Sequence, residues 1–200
     1  MDKSKNRINA RPQIQQYTLN KFLAGERLTD EEKAVINNLP DRCYAIDDEI
    51  ELKNFIDKCV KVLGEKCNLN WIDVSGITNM SRVFMHSDFN GDISRWDVGN
   101  VTSMDYMFYN SRFNGNISRW DVSNVMSTFG MFECSKFNKD ISGWKLKNIE
   151  DMRYMFKNCC FNRDISKWNL AECVYFPAIR TSNMFTGCCI EDSKKPKYIL

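Results

Sequence analysis

"FNGDISRWDVGNVTSMDYMFYNSR", residues 89–112, runs directly into "FNGNISRWDVSNVMSTFGMFECSK", residues 113–136, and "FNKDISGWKLKNIEDMRYMFKNCC", residues 137–160. Three consecutive stretches of 24 residues thus share one pattern. The tryptophans extend it in both directions: Trp71, Trp96, Trp120, Trp144 and Trp168 are spaced by 25, 24, 24 and 24 residues and are all the tryptophans in the chain. Phenylalanines 84, 108, 132 and 156 keep the same step, and Phe185 follows after 29. A second aromatic column, Phe89, Phe113, Phe137 and Phe161, is followed each time by asparagine and, three residues later, by isoleucine. The Trp71 unit carries one extra residue and the Trp168 unit five, within "NLAECVYFPAIRTSNMF".

A fixed period of this length marks a repeat architecture, in which one unit cannot bury its own apolar side chains and stacking completes the core. Within a unit, Met104, Met107 and Phe108 stand at i, i+3 and i+4, the stripe of a single helical turn. Asn and Gly in "FNGD" are turn chemistry. Ile93, Trp96 and Val98 offer a short extended run. In register, the Trp, Phe and Ile columns form a continuous interior, and the asparagines are expected to turn inward and bond the backbone of the next coil.

The units "FNGDISRWDVGNVTSMDYMF" and "FNKDISGWKLKNIEDMRYMF" resemble the BspA-like, DUF285-type repeats of bacteria, which are grouped with leucine-rich repeats. The segment from Ile46 to Phe84 resembles the helical entry to such repeats, so the likeness covers residues 46 to 190. It implies an α/β repeat fold: a short leucine-rich-repeat-like solenoid of about five 24-residue coils, each a short strand plus a helical turn, with an N-terminal α-helical cap. It also implies a surface for interaction and carries no catalytic signature.

The expected organisation is a helical cap over residues 1–67, repeats over 68–190 and a tail over 191–200. Thr29 and Glu32 form a capping box that opens a helix ended by Pro40. Apolar residues from Ile50 to Leu63 recur at helical spacing, and Gly64 is a natural stop.

The chain has 200 residues, 27% charged and 43% apolar, with net charge +2, which is too small to argue for nucleic-acid or membrane binding by bulk charge. No stretch approaches the ~18 apolar residues of a membrane helix, and "MDKSKNRINARPQIQQ" has no apolar core of a secretory signal, so the expected location is cytoplasmic. Nine cysteines, an odd number, fit reduced thiols better than a secreted disulfide framework. Cys159-Cys160 and Cys188-Cys189 fall at matching positions of adjacent coils, ~4.8 Å apart if stacked. Earlier coils place Ser87, Ser111 and Ser135 there, so small size is the requirement. A buried reduced ladder is the leading reading, with a disulfide and a zinc site as alternatives.

No phosphate loop, metalloprotease or nucleophile-elbow motif occurs, and the one histidine, His86, has no repeated counterpart. No enzyme activity, cofactor or metal is therefore expected. Surface charge aligns instead. Arg95, Arg119 and Lys167 form one basic column and Arg112 and Lys136 another, while Asp92, Asp140 and Asp164, then Asp97 and Asp121, form acidic ones. The expected function is a non-enzymatic protein–protein interaction module. Its candidate contacts are Arg95, Arg119, Lys167, Arg112 and Lys136 with the variable turn residues Tyr106 and Tyr109. A small intracellular inhibitor or effector, of phage or mobile-element type, that blocks a host enzyme or ribonucleoprotein complex is the second reading. Direct nucleic-acid binding is the third.

Overall fold

The computed structural model describes residues 11–197, and the chain divides into two compact units, Met1–Pro40 and Asp41–Leu200. In the first, helix α1 (Arg11–Leu23) and helix α2 (Asp30–Asn37) are joined by a turn. Thr29 opens α2 by accepting the Glu32 N–H, and the Glu32 carboxylate accepts the Thr29 N–H at 2.8 Å, the capping box expected from the sequence. Glu32 also receives the Lys21 ammonium at 2.7 Å, which ties α1 to α2.

The second unit begins with strand β1 (Tyr44–Ala45) and helix α3 (Glu49–Leu63), opened by the Asp48 carboxylate and closed at Gly64, whose φ of 94° favours glycine. Strand β2 (Ile72–Asp73) pairs with β1 in parallel. Tyr44, Phe55 and Trp71 form an aromatic cluster with ring centroids 5.1 to 6.3 Å apart, which packs α3 against the Trp71 repeat.

Among the described residues beyond Leu63 there is no α-helix. The stripe Met104, Met107, Phe108 comes from a different backbone. In residues 103–111 the N–H groups of Met107, Tyr109 and Ser111 bond back to the carbonyls of Met104, Tyr106 and Phe108. The alternate N–H groups, of Met104, Tyr106, Phe108 and Asn110, cross to the carbonyls of Ser127, Phe129, Met131 and Glu133 in the next repeat. The same four bonds recur at every junction from residues 80–86 to residues 180–186, at 2.8–3.3 Å.

Such an alternation requires left-handed backbone at two columns. Arg82, Tyr106, Gly130, Tyr154 and Asn183 form one, with φ of 55–64°, and His86, Asn110, Cys134, Asn158 and Gly187 the other, with φ of 47–68°. Left-handed backbone costs a non-glycine residue ~1 kcal/mol. At each junction four hydrogen bonds offset that cost. An α-helical turn would satisfy these groups internally and leave the neighbouring repeat without donors, which is why the helical spacing does not yield a helix.

Side chains complete the ladders. Parallel bridges join Asn79 to Ser103, Ser103 to Ser127, Ser127 to Asp151 and Asp151 to Arg180. The indole N–H groups of Trp96, Trp120, Trp144 and Trp168 donate to the carbonyls of Leu69, Ile93, Ile117 and Ile141, so each buried tryptophan is satisfied by the preceding repeat. Phe84, Phe108, Phe132, Phe156 and Phe185 stack with centroids 5.2–5.8 Å apart. Asn90, Asn114 and Asn138 each accept the backbone N–H of the next asparagine in the column, and they do so from half-buried or exposed positions rather than from the interior. The acidic columns serve turns: Asp92, Asp140 and Asp164 accept the N–H two residues on. The Ser142 N–H holds Asp140 below the usual carboxylate range, and the Ser166 hydroxyl and then its N–H do the same for Asp164.

The last repeat is closed by the segment Glu191–Lys197. Asn162 Oδ1 accepts the Glu191 N–H and the Lys194 ammonium, and the Ile165 N–H donates to the Lys194 carbonyl. Among the described residues, no acceptor meets the N–H groups of Thr181, Asn183, Phe185 and Gly187, the row that would feed a further repeat.

Replacing Phe132, fully buried between Phe108, Phe137 and Phe156, by alanine is expected to cost about 3–5 kcal/mol. Met126→Ala, at a 37% exposed position, should stay within about 0.5 kcal/mol. Denaturant unfolding followed by circular dichroism checks both.

Candidate functional site: an aromatic and basic groove on the turn segments

The columns that the scaffold leaves free sit on the turn segments. Positions 82, 106, 130 and 154 and positions 85, 109, 133 and 157 carry no shared residue type beyond tyrosine at 106, 109 and 154. Their side chains line an open groove of about 660 Å³, bounded by Arg82, Met85, His86, Tyr106, Tyr109, Phe129, Glu133, Tyr154 and Lys157. Four consecutive repeats contribute to it.

A zigzag of rings forms the floor. His86 meets Tyr109 edge-on at 5.3 Å, Tyr109 meets Tyr106 at 5.6 Å, Tyr106 meets Phe129 at 5.2 Å and Phe129 meets Tyr154 at 5.3 Å. Interplanar angles of 66–88° make every contact edge-to-face, the arrangement the ring quadrupole prefers. The step from Tyr106 to Phe129, one position off the column, is made by Gly130. A Cβ on Gly130 would stand 2.6 Å from the Tyr106 ring. The glycine therefore serves both its left-handed φ and the room the tyrosine needs.

Cations line the rings. Arg82 lies over Tyr106 at 5.9 Å, Arg153 over Phe129 at 4.9 Å and Lys157 over Tyr154 at 5.0 Å. Two of the three are held in place. Lys157 donates to Glu133 at 2.9 Å, a bond that raises its pKa, and Arg153 makes a bidentate contact with Asp151 that raises its own. Asp151 is 4% exposed and is met from the other side by Arg180 at 3.2 Å. Asp105 accepts the Ser127 hydroxyl and the Phe129 N–H, which fixes the backbone under the Phe129 ring. Burial raises the Tyr106 phenol above its ordinary value, so it remains a neutral donor.

Of the residues singled out from the sequence, Tyr106 and Tyr109 are brought together here. The basic columns lie elsewhere. Arg95, Arg119, Lys167, Arg112 and Lys136 are all exposed. Arg95 pairs with Asp41 at 2.9 Å and Arg112 with Asp88 at 3.0 Å; such exposed pairs contribute little stability. Lys167 borders a shallow depression with Arg163, Asp140 and Asp164. Sequence reasoning missed Arg82, Phe129, Glu133, Tyr154 and Lys157. The available signal was the failure of these positions to repeat.

The cysteine ladder is corrected in part. All nine cysteines are free thiols. Cys159 is buried and Cys188 half-buried, and burial pushes the Cys159 thiol up to about 12. Cys160 and Cys189 are exposed, because a residue next in sequence to a buried position in an extended segment faces the other way.

Gly130→Ala is expected to cost about 1–3 kcal/mol, from positive φ and from displacement of the Tyr106 ring. The check is denaturant unfolding, together with loss of the upfield ring-current shifts of Tyr106 and Phe129 in NMR spectra.

The chain matches the family model described as "Mycoplasma protein of unknown function, DUF285" over residues 51–168 and again over residues 109–189. No curated protein and no solved structure matches it. No helix among the described residues is long and apolar enough to cross a membrane. Both family matches fall on the tryptophan-centred repeats and their helical entry, and on that ground the chain belongs to the DUF285, BspA-like family.

Proposed function

We propose that the repeats, residues 68–190, form a short leucine-rich-repeat-like solenoid that acts as a non-enzymatic protein-interaction module. Its contact surface is the groove of Tyr106, Phe129 and Tyr154. The observation that carries this reading is the placement of rings and cations on four consecutive repeats, on side chains that the buried core of the stack does not include. Tyrosine and arginine dominate the energetics of protein interfaces because they join apolar area to directed polar groups at low entropic cost. Here the side chains are already ordered by edge-to-face packing and by the Asp151 and Glu133 carboxylates, which reduces the entropy lost on binding. A groove that crosses successive repeats suits an extended segment of a partner protein. Edge-to-face rings expose no run of parallel faces for stacked bases, which favours protein over single-stranded nucleic acid.

With a partner captured from the native host, Tyr106→Ala and Tyr154→Ala are each expected to weaken binding tenfold or more, about 1.4 kcal/mol. Arg119→Glu should leave affinity within about twofold, an effect under ~0.5 kcal/mol. Titration calorimetry reads both. Unchanged affinity in the tyrosine variants with loss in Arg119→Glu would move the contact to the basic columns. A complex that forms only with RNA at low salt would replace the reading by nucleic-acid binding.

A further inference from the structure

We propose that Cys160 and Cys189 are the partners of a reversible disulfide that staples the last repeat to the one before it. They occupy one column with Asp88, Arg112 and Lys136, so the first three repeats place charged residues at this exposed position and the last two place thiols. Exposed cysteine is uncommon, since free cysteine is among the most buried residue types. Two thiols at adjacent rungs of a solvent-facing column are not explained by packing.

The geometry brings them opposite one another. The Cys189 N–H donates to the Cys159 carbonyl at 3.3 Å, the bond that sets residues 160 and 189 in parallel register. The same bond recurs between Arg112 and Ser87 and between Lys136 and Ser111. At the first junction of the column, the Arg112 and Asp88 side chains meet at 3.0 Å, so neighbours at this position reach each other across a junction. Adjacent strands are ~4.8 Å apart, inside the ~4.4–6.8 Å range of Cα separations that a disulfide spans.

The other two thiols nearby are engaged. Cys159 Sγ contacts the Ser135 hydroxyl and the Phe137 carbonyl, and Cys188 Sγ donates to the Phe161 carbonyl at 3.3 Å. Burial holds both in the thiol form, whereas exchange needs an accessible thiolate. The bond would close the segment from residue 160 to residue 189. This is the repeat with the five-residue insertion, where Val174 is 70% exposed and Tyr175 and Phe176 are 38% and 41% exposed.

The oxidant is a low-molecular-weight disulfide, RSSR. One cysteine thiolate attacks it, forming a mixed disulfide and releasing RS⁻; the second thiolate attacks the protein sulfur of that mixed disulfide, forming the S–S bond and releasing the other RS⁻. Two electrons pass to RSSR, and the two protons lost by the cysteines are taken up by the two released thiolates.

The test treats the full chain with oxidised glutathione, quenches with acid, alkylates, digests and maps links by tandem mass spectrometry. The expected product is a Cys160–Cys189 link, reversed by dithiothreitol and retained in Cys159→Ser. In Cys160→Ser and Cys189→Ser the remaining partner should carry a glutathione adduct instead. The oxidised wild type should melt higher than the reduced form by about 5 °C. Stable glutathione adducts on both wild-type thiols, or a link through Cys159 or Cys188, would overturn the pairing. A link without a rise in melting temperature would overturn the staple.

Discussion

The structure rests on a division of labour among the backbone amides of each turn segment. Alternate N–H groups close local turns, and the others cross to the next repeat. A single repeat cannot satisfy its own donors, just as it cannot bury its own phenylalanines. Two columns of left-handed residues accompany this alternation, each at the third position of a local turn, where positive φ is required to close it through the following N–H. The tryptophan bond to the previous repeat runs in the opposite sense. Each repeat is thereby held from both sides.

That frame explains where variation is permitted. Side chains that point into the stack, such as Phe132 and Trp144, have almost no exposed surface and repeat with little change. At the left-handed positions the backbone is what recurs, and in the first of the two columns the chain places arginine, tyrosine, glycine, tyrosine and asparagine in turn. Arg82, Tyr106 and Tyr154 of this column line the groove, together with residues such as Tyr109, Phe129 and Lys157 that flank the left-handed positions. The conformational cost lies in the backbone, whereas the chemistry of the side chain is left open.

Much of the core was legible in the sequence because it repeats. The tryptophan and phenylalanine columns could be read from their spacing, and so could the Thr29–Glu32 capping box and the end of α3 at Gly64. The turn segment was less legible. Met104, Met107 and Phe108 keep a helical spacing, yet their backbone is shared with the neighbouring repeat, and a bond between residues 23 apart leaves no local pattern. Asn110, Asn158, Asn183, Gly130 and Gly187 were a usable hint, since these residue types favour positive φ. The groove was half hidden. Tyr106 and Tyr109 stood out as variable, but the contribution of Phe129 depends on Gly130 making room, a relation visible only in three dimensions. The basic columns were easy to see because they align, whereas groove residues are set apart by not aligning.

The central claim is that cross-repeat donation by alternate amides holds the stack together. Native-state hydrogen exchange resolved by NMR tests it at single amides. The amides of Thr128, Gly130, Phe132 and Cys134, which donate to the next repeat, are predicted to exchange only on global or multi-repeat opening. Those of Thr181, Asn183, Phe185 and Gly187, at the same positions of the last repeat, are predicted to exchange at least a hundredfold faster, a difference of about 2.7 kcal/mol in opening free energy. Equal protection in the two sets would contradict the claim.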